Sequence, residues 1–454
     1  MSAPDPRAPS ASLSLRSRLL TLILLACGLG AVGPAESYAQ SSSSPPDSVQ
    51  PSTAGQERGR RAALQAARKK KSENLTSADR AVLEQFLLWI EDERILQKIG
   101  SVAGVRKEFR VGPAGLGSGS GLGLRLTYVP FPQRPNLDVR ANVGGTLRGY
   151  WRLGGSVGYK YHSVFGHLYS QVKRRPQRTY FLNLENTTGS DNRQQFDITN
   201  WTSGGVLGVR LLPSLSLAAS SSYLSYTPQV NAATLDPQDP GILNPATSTR
   251  YLTTGGHLQL DRRNVTYNQN FGNRFVPSSD NLTDRPLNPE SGTLLSLNVT
   301  WFHELTDANA SFHQAEAELQ QYASFYNGYH TFALRHRTVF TGPENATVPF
   351  YQLPYVGGDF TLRGYDEFRF RGPPHGLLYN LEYRYKVWHH ADMVLFGDAG
   401  KVFDDVHQWG FTDLRYSYGV GLRFITARSA YFRIGVAFSK ERRPRFVFKF
   451  SNVF

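Results

Sequence analysis

The sequence predicts an all-β fold, namely a transmembrane antiparallel β-barrel of about sixteen strands. Long segments alternate apolar residues with charged residues and glycines, a pattern typical of strands with one apolar face and one wet face. Aromatic residues make up 12% of the chain, and its 42 glycines indicate many turns. The alternation is clearest at 377–388, 414–425 and 429–439.

A soluble β-sandwich explains this pattern less well, because its apolar face is the inner one and its strands are usually shorter. Charged and small residues on one face of long strands indicate lipid outside and a watery lumen inside. Backbone groups in lipid must all be hydrogen-bonded, so such strands are expected to close into a barrel. Beyond the N-terminus no stretch of about 18 apolar residues occurs, which excludes a polytopic helical membrane protein.

The pattern predicts an even number of strands, as single-chain bacterial barrels require. The candidate strands lie near 121–128, 136–146, 149–161, 164–173, 179–187, 193–210, 215–226, 249–262, 292–304, 310–324, 329–341, 375–388, 391–403, 414–425, 429–439 and 444–454. The single cysteine excludes a disulfide scaffold.

Residues 1–39 are typical of a secretory signal peptide. Arginines precede an apolar segment at 19–32, and Ser-Tyr-Ala at 37–39 is a small-x-small cleavage site. An alternative is a lipoprotein-type cleavage before Cys27, which would leave that residue lipidated; the apolar segment continues past Cys27 and favours the first interpretation. With the barrel pattern, an export signal predicts a bacterial outer membrane.

Residues 40–75 are interpreted as a polar, basic linker of low complexity, residues 76–106 as an amphipathic periplasmic helix, and residues 107–454 as the barrel. The basic side chains of the linker are expected to be solvated or to contact anionic lipid headgroups. An exported chain is expected to have no nucleic-acid partner. The helix either packs on the body of the protein or serves as a plug or surface anchor, and both alternatives stay open.

The segment between the predicted strands 329–341 and 375–388 is too aromatic for a water-exposed loop. Its aromatic residues are Phe350, Tyr351, Tyr355, Phe360, Tyr365, Phe368 and Phe370. Because burial of apolar area is stabilising, the loop is expected to fold back into the lumen. Its centre reads Leu362-Arg363-Gly364-Tyr365.

This tetrapeptide resembles the Val-Arg-Gly-Phe/Tyr tip of the sixth extracellular loop in the BamA/TamA/FhaC barrels, the Omp-eighty-five or bacterial surface antigen superfamily. Further segments are similar to motifs of that family: Phe396-Gly397-Asp398-Ala399-Gly400, Asn380-Leu381-Glu382-Tyr383-Arg384, and Asp261-Arg262-Arg263-Asn264 with Pro289-Glu290-Ser291-Gly292. The loop also falls between the eleventh and twelfth predicted strands, as the family requires. The resemblance covers the barrel.

The resemblance implies that Arg363 pairs with Asp398 and pins the loop to the barrel wall. A guanidinium buried in a lumen needs a charged partner, and its fork fits a carboxylate. The expected inner-wall residues are Phe396, Asp398, Gly400, Glu382 and Arg384. Glu382 is expected to point into the same lumen and could compete for Arg363. Such a pair could also be purely architectural.

In this family the first and last strands form a seam that can part sideways into the membrane. The expected seam residues are Gly119, Gly121, Gly123, Phe450 and Phe454. Glycine weakens a strand, so a glycine-rich first strand is compatible with opening. The alternating aromatic residues that end at Phe454 resemble the C-terminal signal by which outer-membrane barrels are recognised for insertion.

Two features depart from the family pattern. Residues 40–106 hold no βααββ pattern of a periplasmic POTRA domain, which places the chain with a barrel-only subset and leaves substrate capture to a possible separate partner. Residues 265–288 are inserted into a periplasmic turn that is expected to be short.

The resemblance implies a role in the insertion, assembly or translocation of proteins or lipids at the outer membrane. A passive pore or structural barrel is the alternative, and an outer-membrane hydrolase comes third. The expected partners are outer-membrane lipids, lipopolysaccharide and unfolded outer-membrane proteins, with the chain itself a monomer. No enzymatic activity, cofactor or metal is expected, since Gly-x-Ser-x-Gly and His-Glu-x-x-His are absent and the adjacent His389 and His390 do not share a strand face.

Overall fold

In this computed structural model sixteen strands form one antiparallel sheet, and hydrogen-bonded neighbours follow chain order. The strands are β1 (Phe109–Pro113), β2 (Gly123–Tyr128), β3 (Leu137–Thr146), β4 (Trp151–Tyr161), β5 (Val164–Phe181), β6 (Arg193–Leu212), β7 (Leu215–Val230), β8 (Thr249–Asp261), β9 (Gly292–Glu304), β10 (Phe312–Phe325), β11 (His330–Gly342), β12 (His375–Trp388), β13 (Ala391–Phe403), β14 (Arg415–Ile425), β15 (Ala430–Ser439) and β16 (Arg445–Lys449). The predicted all-β barrel fold is confirmed.

The structure describes residues 108–113, 116, 123–134, 136–181, 193–230, 242–243, 248–264, 289–306, 310–343, 347–388, 391–425, 430–441 and 443–449. The expected signal peptide, linker and helix lie outside these residues, as do the insertion at 265–288 and the pair His389 and His390. Within the described ranges no helix is both long and apolar enough to span a membrane.

The two faces of the sheet differ in the way expected of strands in lipid. On β14 the aromatic side chains of Tyr416 and Tyr418 are exposed, whereas Ser417 and Arg423, on the other face, are buried. The exposed face is therefore the apolar one, the reverse of a soluble sheet.

Two strand predictions near the N-terminal end of the barrel are wrong. The predicted start of a new strand at 179 is wrong, because β5 continues to Phe181, and residues 182–187 lie outside the described residues. The polar run around Pro176 imitates a turn, but a register shift between Arg175 and Arg178 absorbs it without ending the strand. Conversely, β1 precedes the first predicted strand, which is β2. One prediction adds a strand and the other omits one, so the predicted and observed strand counts are both sixteen.

The strands at the two ends of the sheet are the shortest of the sixteen in the described part of the chain. Strands β1 and β16 have 5 residues each, whereas β6 has 20. Residues 114–115, after β1, and 450–454, after β16, lie outside the described residues, so these are the lengths of the described parts of the two strands.

The long loop lies between β11 and β12 and folds inward, as predicted, with its central residues Leu362 and Tyr365 buried. Two short strand pairs shape it. Val348–Pro349 runs parallel to Ile242–Leu243, and Tyr355–Val356 runs antiparallel to Phe370–Arg371.

Candidate functional site in the infolded loop

The loop tip is a compact turn closed by its own hydrogen bonds. Gly357 and Gly358 have φ angles of +115° and +106°, a conformation that residues with side chains rarely adopt. The backbone N–H of Gly357 donates to Oγ1 of Thr361 at 2.8 Å, and that of Gly358 donates to the carbonyl of Leu362 at 3.1 Å. These bonds set the position of the next residue, Arg363.

Arg363 and Asp398 form the central ion pair. Nη2 of Arg363 donates to Oδ1 of Asp398 at 2.6 Å, and Nε donates to Oδ2 at 2.9 Å. The backbone N–H of Arg363 also donates to Oδ2, at 3.1 Å. Both side chains are almost fully buried. A forked, charge-assisted contact thus holds the loop to β13.

Glu382 on β12 binds the remaining edge of the guanidinium. Its Oε1 accepts from Nη1 of Arg363 at 2.6 Å, and its Oε2 accepts from Nε of Arg384 at 3.0 Å. Glu382 therefore shares Arg363 with Asp398 instead of displacing it. We call Arg363, Asp398, Glu382 and Arg384 the ionic anchor; its two positive and two negative charges alternate in space.

Neutral side chains fix the carboxylate of Asp398. Nδ2 of Asn380 donates to Oδ1 of Asp398 and to the carbonyl of Thr361, both at 2.8 Å. The hydroxyl of Ser417, on β14, donates to Oδ2 at 3.1 Å. Asp398 thereby accepts hydrogen bonds from the loop, β12 and β14, which leaves its side chain little freedom.

Phe396 and Gly364 allow the loop tip to pack closely against the barrel wall. The guanidinium carbon of Arg363 lies 3.7 Å from the ring centroid of Phe396, a cation–π contact. An ideal Cβ on Gly364 would lie 2.6 Å from the carbonyl oxygen of Phe438, on β15. Only glycine allows this approach of the loop to the strand.

The other predicted residues lie around this contact. Tyr365 packs in an apolar cluster with Val356, Leu362, Phe370 and Leu378. An ideal Cβ on Gly400 would meet the backbone oxygen of Leu377 at 2.7 Å. The structure therefore brings the predicted loop-tip residues together with all five predicted inner-wall residues.

The loop tip also bonds to the last two strands, a contact that sequence reasoning missed. Nη1 of Arg445, the first residue of β16, donates to Oδ1 of Asp359 at 2.8 Å and to the carbonyl of Arg363 at 3.2 Å. Arg433, on β15, donates to the carbonyl of Asp359 at 2.8 Å. The only signal in the sequence was basic residues on the inner face of the last strands.

The first half of the loop is held by apolar packing on strands β6 to β10. The ring centroids of Phe350 and Phe196 lie 4.7 Å apart in a T-shaped contact. We call the buried cluster the apolar anchor; it contains Phe196, Ile198, Leu224, Tyr251, Phe302, Phe312, Val348, Phe350 and Leu353. At its edge Tyr351 shares a 2.7 Å hydrogen bond with Thr249. Burial raises the pKa of the Tyr351 hydroxyl, and the bond to Thr249 opposes that shift.

The β8–β9 turn has its two ends joined. Oδ1 of Asn264 accepts from the backbone N–H groups of Glu290 and Ser291, each at 3.0 Å. The N–H of Asn264 donates to the carbonyl of Ser291 at 3.0 Å. Gly292 has a φ of +99°, and a Cβ there would lie 2.1 Å from the carbonyl oxygen of Arg262. The predicted turn motif thus forms a clamp that joins its two halves.

Only one predicted seam residue lies in the described part of the chain. Gly123 begins β2, not the first strand, and a Cβ there would meet the carbonyl oxygen of Gly145 at 2.2 Å. Gly119, Gly121, Phe450 and Phe454 lie outside the described residues. Among the residues that are described, no group of three or more His, Cys, Asp or Glu side chains is placed to hold a metal ion.

The chain is similar in fold to solved structures at low sequence identity. BamA from Haemophilus ducreyi, solved without POTRA domains 1-3, is 15% identical with a TM-score of 0.50, over 76% of this chain and 70% of that chain. CdiB from Escherichia coli is 11% identical with a TM-score of 0.46, over 74% of this chain and 60% of that chain. No curated protein sequence matches the chain.

A family-level match covers most of the barrel sequence. The Omp85 superfamily domain matches residues 116–454, which include fifteen of the sixteen strands, the infolded loop and both anchors. The chain is an outer-membrane β-barrel and belongs to the Omp85 superfamily.

Proposed function

We propose that this chain acts in the insertion, assembly or translocation of polypeptides or lipids at the bacterial outer membrane, through a lateral seam between β1 and β16. One observation carries the proposal. The same turn that is bonded to Asp398 on β13 is bonded to Arg445 on β16. Movement of the last strand therefore strains the bonds of the loop tip, and displacement of the tip releases a bond of the last strand.

The two ends of the sheet support a lateral route. Among the described residues, β1 and β16 are each paired on one side only, with β2 and β15, whereas the other strands of the sheet are paired on both sides. The end of the sheet is the place where a client strand can be added by the same backbone bonding.

The loop also argues against a passive pore. Its first half is packed on β6 to β10 and its tip is bonded to β12, β13, β15 and β16, so it extends across the lumen between two parts of the wall. A loop held across the lumen restricts free passage through it, which favours a lateral route over an open pore.

The proposed partners follow from the surfaces. The exposed apolar face fits lipid, and a formal charge of +14 favours anionic headgroups such as those of lipopolysaccharide. The proposed clients are unfolded outer-membrane proteins, with a separate periplasmic partner as the delivery route and a single copy of the chain in the membrane.

Reconstitution into liposomes tests the proposal. The folded chain should accelerate the folding of an unfolded client barrel, or the flip-flop of a labelled lipid, relative to empty liposomes. Disulfides between one cysteine scanned through β1 and one scanned through β16, in a chain lacking Cys27, should abolish that acceleration.

A matched control uses two strands that are not expected to part. Gln259→Cys with Ser296→Cys joins Cα partners of β8 and β9, and this cross-link should leave the acceleration unchanged. Equal activity with either cross-link contradicts a lateral seam. Steady ion conductance without client folding or lipid flip-flop makes the chain a passive pore and overturns the proposal.

A further inference from the structure

We infer that the β8–β9 turn and the loop tip form one coupled unit, in which displacement of the turn weakens the hold of the inner wall on the tip. Two routes of hydrogen bonds run along the inner wall from the two ends of the turn. One route begins at Pro289 and the other at Arg263. They end in the loop tip, at Arg363 and at Phe360 respectively.

The first route passes through the ionic anchor. Nη1 of Arg384 donates to the carbonyl oxygen of Pro289 at 3.3 Å, and Nε of Arg384 donates to Oε2 of Glu382 at 3.0 Å. Oε1 of Glu382 accepts from Nη1 of Arg363 at 2.6 Å. One guanidinium thus binds both a backbone group of the turn and the acid that binds the tip. Only the side chains of Arg384 and Glu382 stand between the turn and Arg363 on this route.

The turn end of this route is its weaker end. The bond from Arg384 to Pro289 is the longest of the three, and a second contact of the turn, from Nζ of Lys386 to Oε1 of Glu290, is also 3.3 Å long. Lys386 and Glu290 are partly exposed, and a cleft beside them is lined in part by Pro289 and Arg384. Because long bonds next to solvent open more easily than short buried ones, the turn can shift while the anchor stays formed.

The second route crosses β10 and β11. Nη1 of Arg263 donates to Oε1 of Gln320 at 3.0 Å, and Nε2 of Gln320 donates to Oε1 of Glu318 at 2.6 Å. Nε of Arg335 donates to the same oxygen of Glu318 at 2.9 Å. Nη1 of Arg335 donates to the carbonyl oxygen of Phe360 at 3.3 Å. A continuous series of side chains therefore joins the start of the turn to the backbone of the tip.

The strand register places this route beside the ionic anchor. Gln320 and Arg335 are Cα partners on β10 and β11, Arg335 and Asn380 on β11 and β12, and Asn380 and Asp398 on β12 and β13. These four residues form one row across the inner face. The row ends at the carboxylate that binds Arg363, so both routes converge on the same few residues.

The two routes are joined at the turn and again on the wall. The clamp at Asn264 bonds the two halves of the turn, so Arg263 and Pro289 move together. On the wall, the hydroxyl of Tyr322 donates to Oε1 of Gln320 at 2.9 Å, and the guanidinium carbon of Arg384 lies 5.6 Å from the Tyr322 ring centroid. Buried polar networks of this kind respond as a unit, because each bond fixes the geometry of the next.

The coupling gives the turn a regulatory role at the predicted periplasmic rim. A contact that moves the turn removes bonds from Arg384 and Gln320, and the tip is then held by fewer bonds. The carbonyl of Arg363 also accepts from Nη1 of Arg445, so a loosened tip loosens β16. This last step alone rests on the proposed function.

Hydrogen–deuterium exchange of the folded full-length chain tests the coupling. Asn264→Ala opens the clamp, and Arg263→Met removes the first bond of the second route. Each should speed the exchange of the backbone amides of residues 358–365 by about 3- to 10-fold, as expected for the loss of one net hydrogen bond. Asp138→Asn is the matched control, because it removes the partner of Arg140 on β3, and it should leave these amides unchanged.

Two combinations of variants separate coupling from general loosening. Arg335→Met interrupts the second route at its far end, so adding Arg263→Met should not increase the exchange of the tip further. Glu290→Ala weakens the first route, so adding Arg263→Met should exceed the effect of either change alone. Coupling is reciprocal, and Arg363→Lys should therefore speed the exchange of the Asn264 amide.

Heat-modifiable migration on gels reports that each variant is folded. Unchanged exchange of the tip in folded Asn264→Ala and Arg263→Met chains overturns the inference. Additive effects of Arg263→Met and Arg335→Met overturn it as well and leave the two routes as static contacts of the wall. Client folding and lipid flip-flop by the parent chain are measured separately, so failure of the coupling is distinguishable from failure of the proposed function.

Discussion

The two anchors of the infolded loop have opposite chemistry. The ionic anchor holds Arg363 to Asp398 and Glu382 through hydrogen bonds of 2.6 Å. The apolar anchor packs Phe350 on Phe196 and the cluster around them. Charge pairs in a buried site are directional and fail together when one member is lost. Apolar contacts scale with area and tolerate partial loss. Mutations in the apolar anchor should therefore weaken the attachment of the loop by degrees, whereas loss of one charge in the ionic anchor should release the tip completely.

The largest effect is expected from the ionic anchor. Arg363→Ala leaves two carboxylates buried near the site of the lost charge and should lower the free energy of unfolding by about 3–5 kcal/mol. Heat-modifiable migration and protease cleavage of the loop measure the change. Asp405→Ala, which removes an exposed carboxylate bonded to His407, is the control and should behave as the parent. An Arg363→Ala barrel as heat-resistant as the parent would show that the ionic anchor does not hold the loop.

The loss of stability at the apolar anchor should increase with the amount of side chain removed. Phe350→Ala removes a buried ring and should lower the free energy of unfolding by about 3 kcal/mol, whereas Phe350→Leu should lower it by about 1 kcal/mol. Denaturant titration of the two Phe350 variants and of Arg363→Lys measures the free energy of unfolding and compares the two anchors. The lysine variant should lose most of what Arg363→Ala loses, because an ammonium cannot replace the fork. Equal losses for both Phe350 variants contradict the graded behaviour.

A smaller effect is expected where the tip approaches β15. Gly364→Ala places a methyl group against the carbonyl of Phe438 and should lower the free energy of unfolding by about 1–3 kcal/mol. Gly397→Ala is the matched control, because a Cβ at Gly397 meets nothing within 4 Å. Thermal melts of the two variants distinguish a close approach from a general effect of glycine replacement in the motif region.

The smallest effect on stability is expected at the last strand. Arg445 is partly exposed, so Arg445→Gln should lower the free energy of unfolding by no more than about 1 kcal/mol. Its effect on the β1–β16 cross-linking rate should be larger, because the bond from β16 to the loop tip is gone. Arg443→Gln, exposed and two residues earlier, serves as the control. A double-mutant cycle with Asp359→Asn should show non-additivity.

Sequence reasoning reached the elements that local pattern encodes. A period of two in segments such as 414–425 predicted strands and their lipid face, and the aromatic content of the long loop predicted that it folds inward. The proximity of Arg363 and Asp398 was expected from a family resemblance, not from spacing. The register shift after Arg175 was not foreseen, because one proline in a polar run imitates a turn.

The contacts that sequence reasoning missed all depend on pairing between distant strands. Arg445 reaches Asp359 across 86 positions of the chain, and Ser220 meets His257 across 37. Neither residue stands in a local motif. Only the register of the folded sheet decides which side chains share a row, and a shift of one residue would turn each of them to the lipid face.

The clamp at the β8–β9 turn makes this turn a suitable insertion site for protein engineering. Asn264, before the insertion, is hydrogen-bonded to Ser291, after it, so the two described ends of this turn lie close together. A foreign domain whose own termini lie close together can be grafted between Asn264 and Pro289 without disturbing the strand register. Such a chimera would display an affinity tag or an enzyme on a defined rim of the barrel.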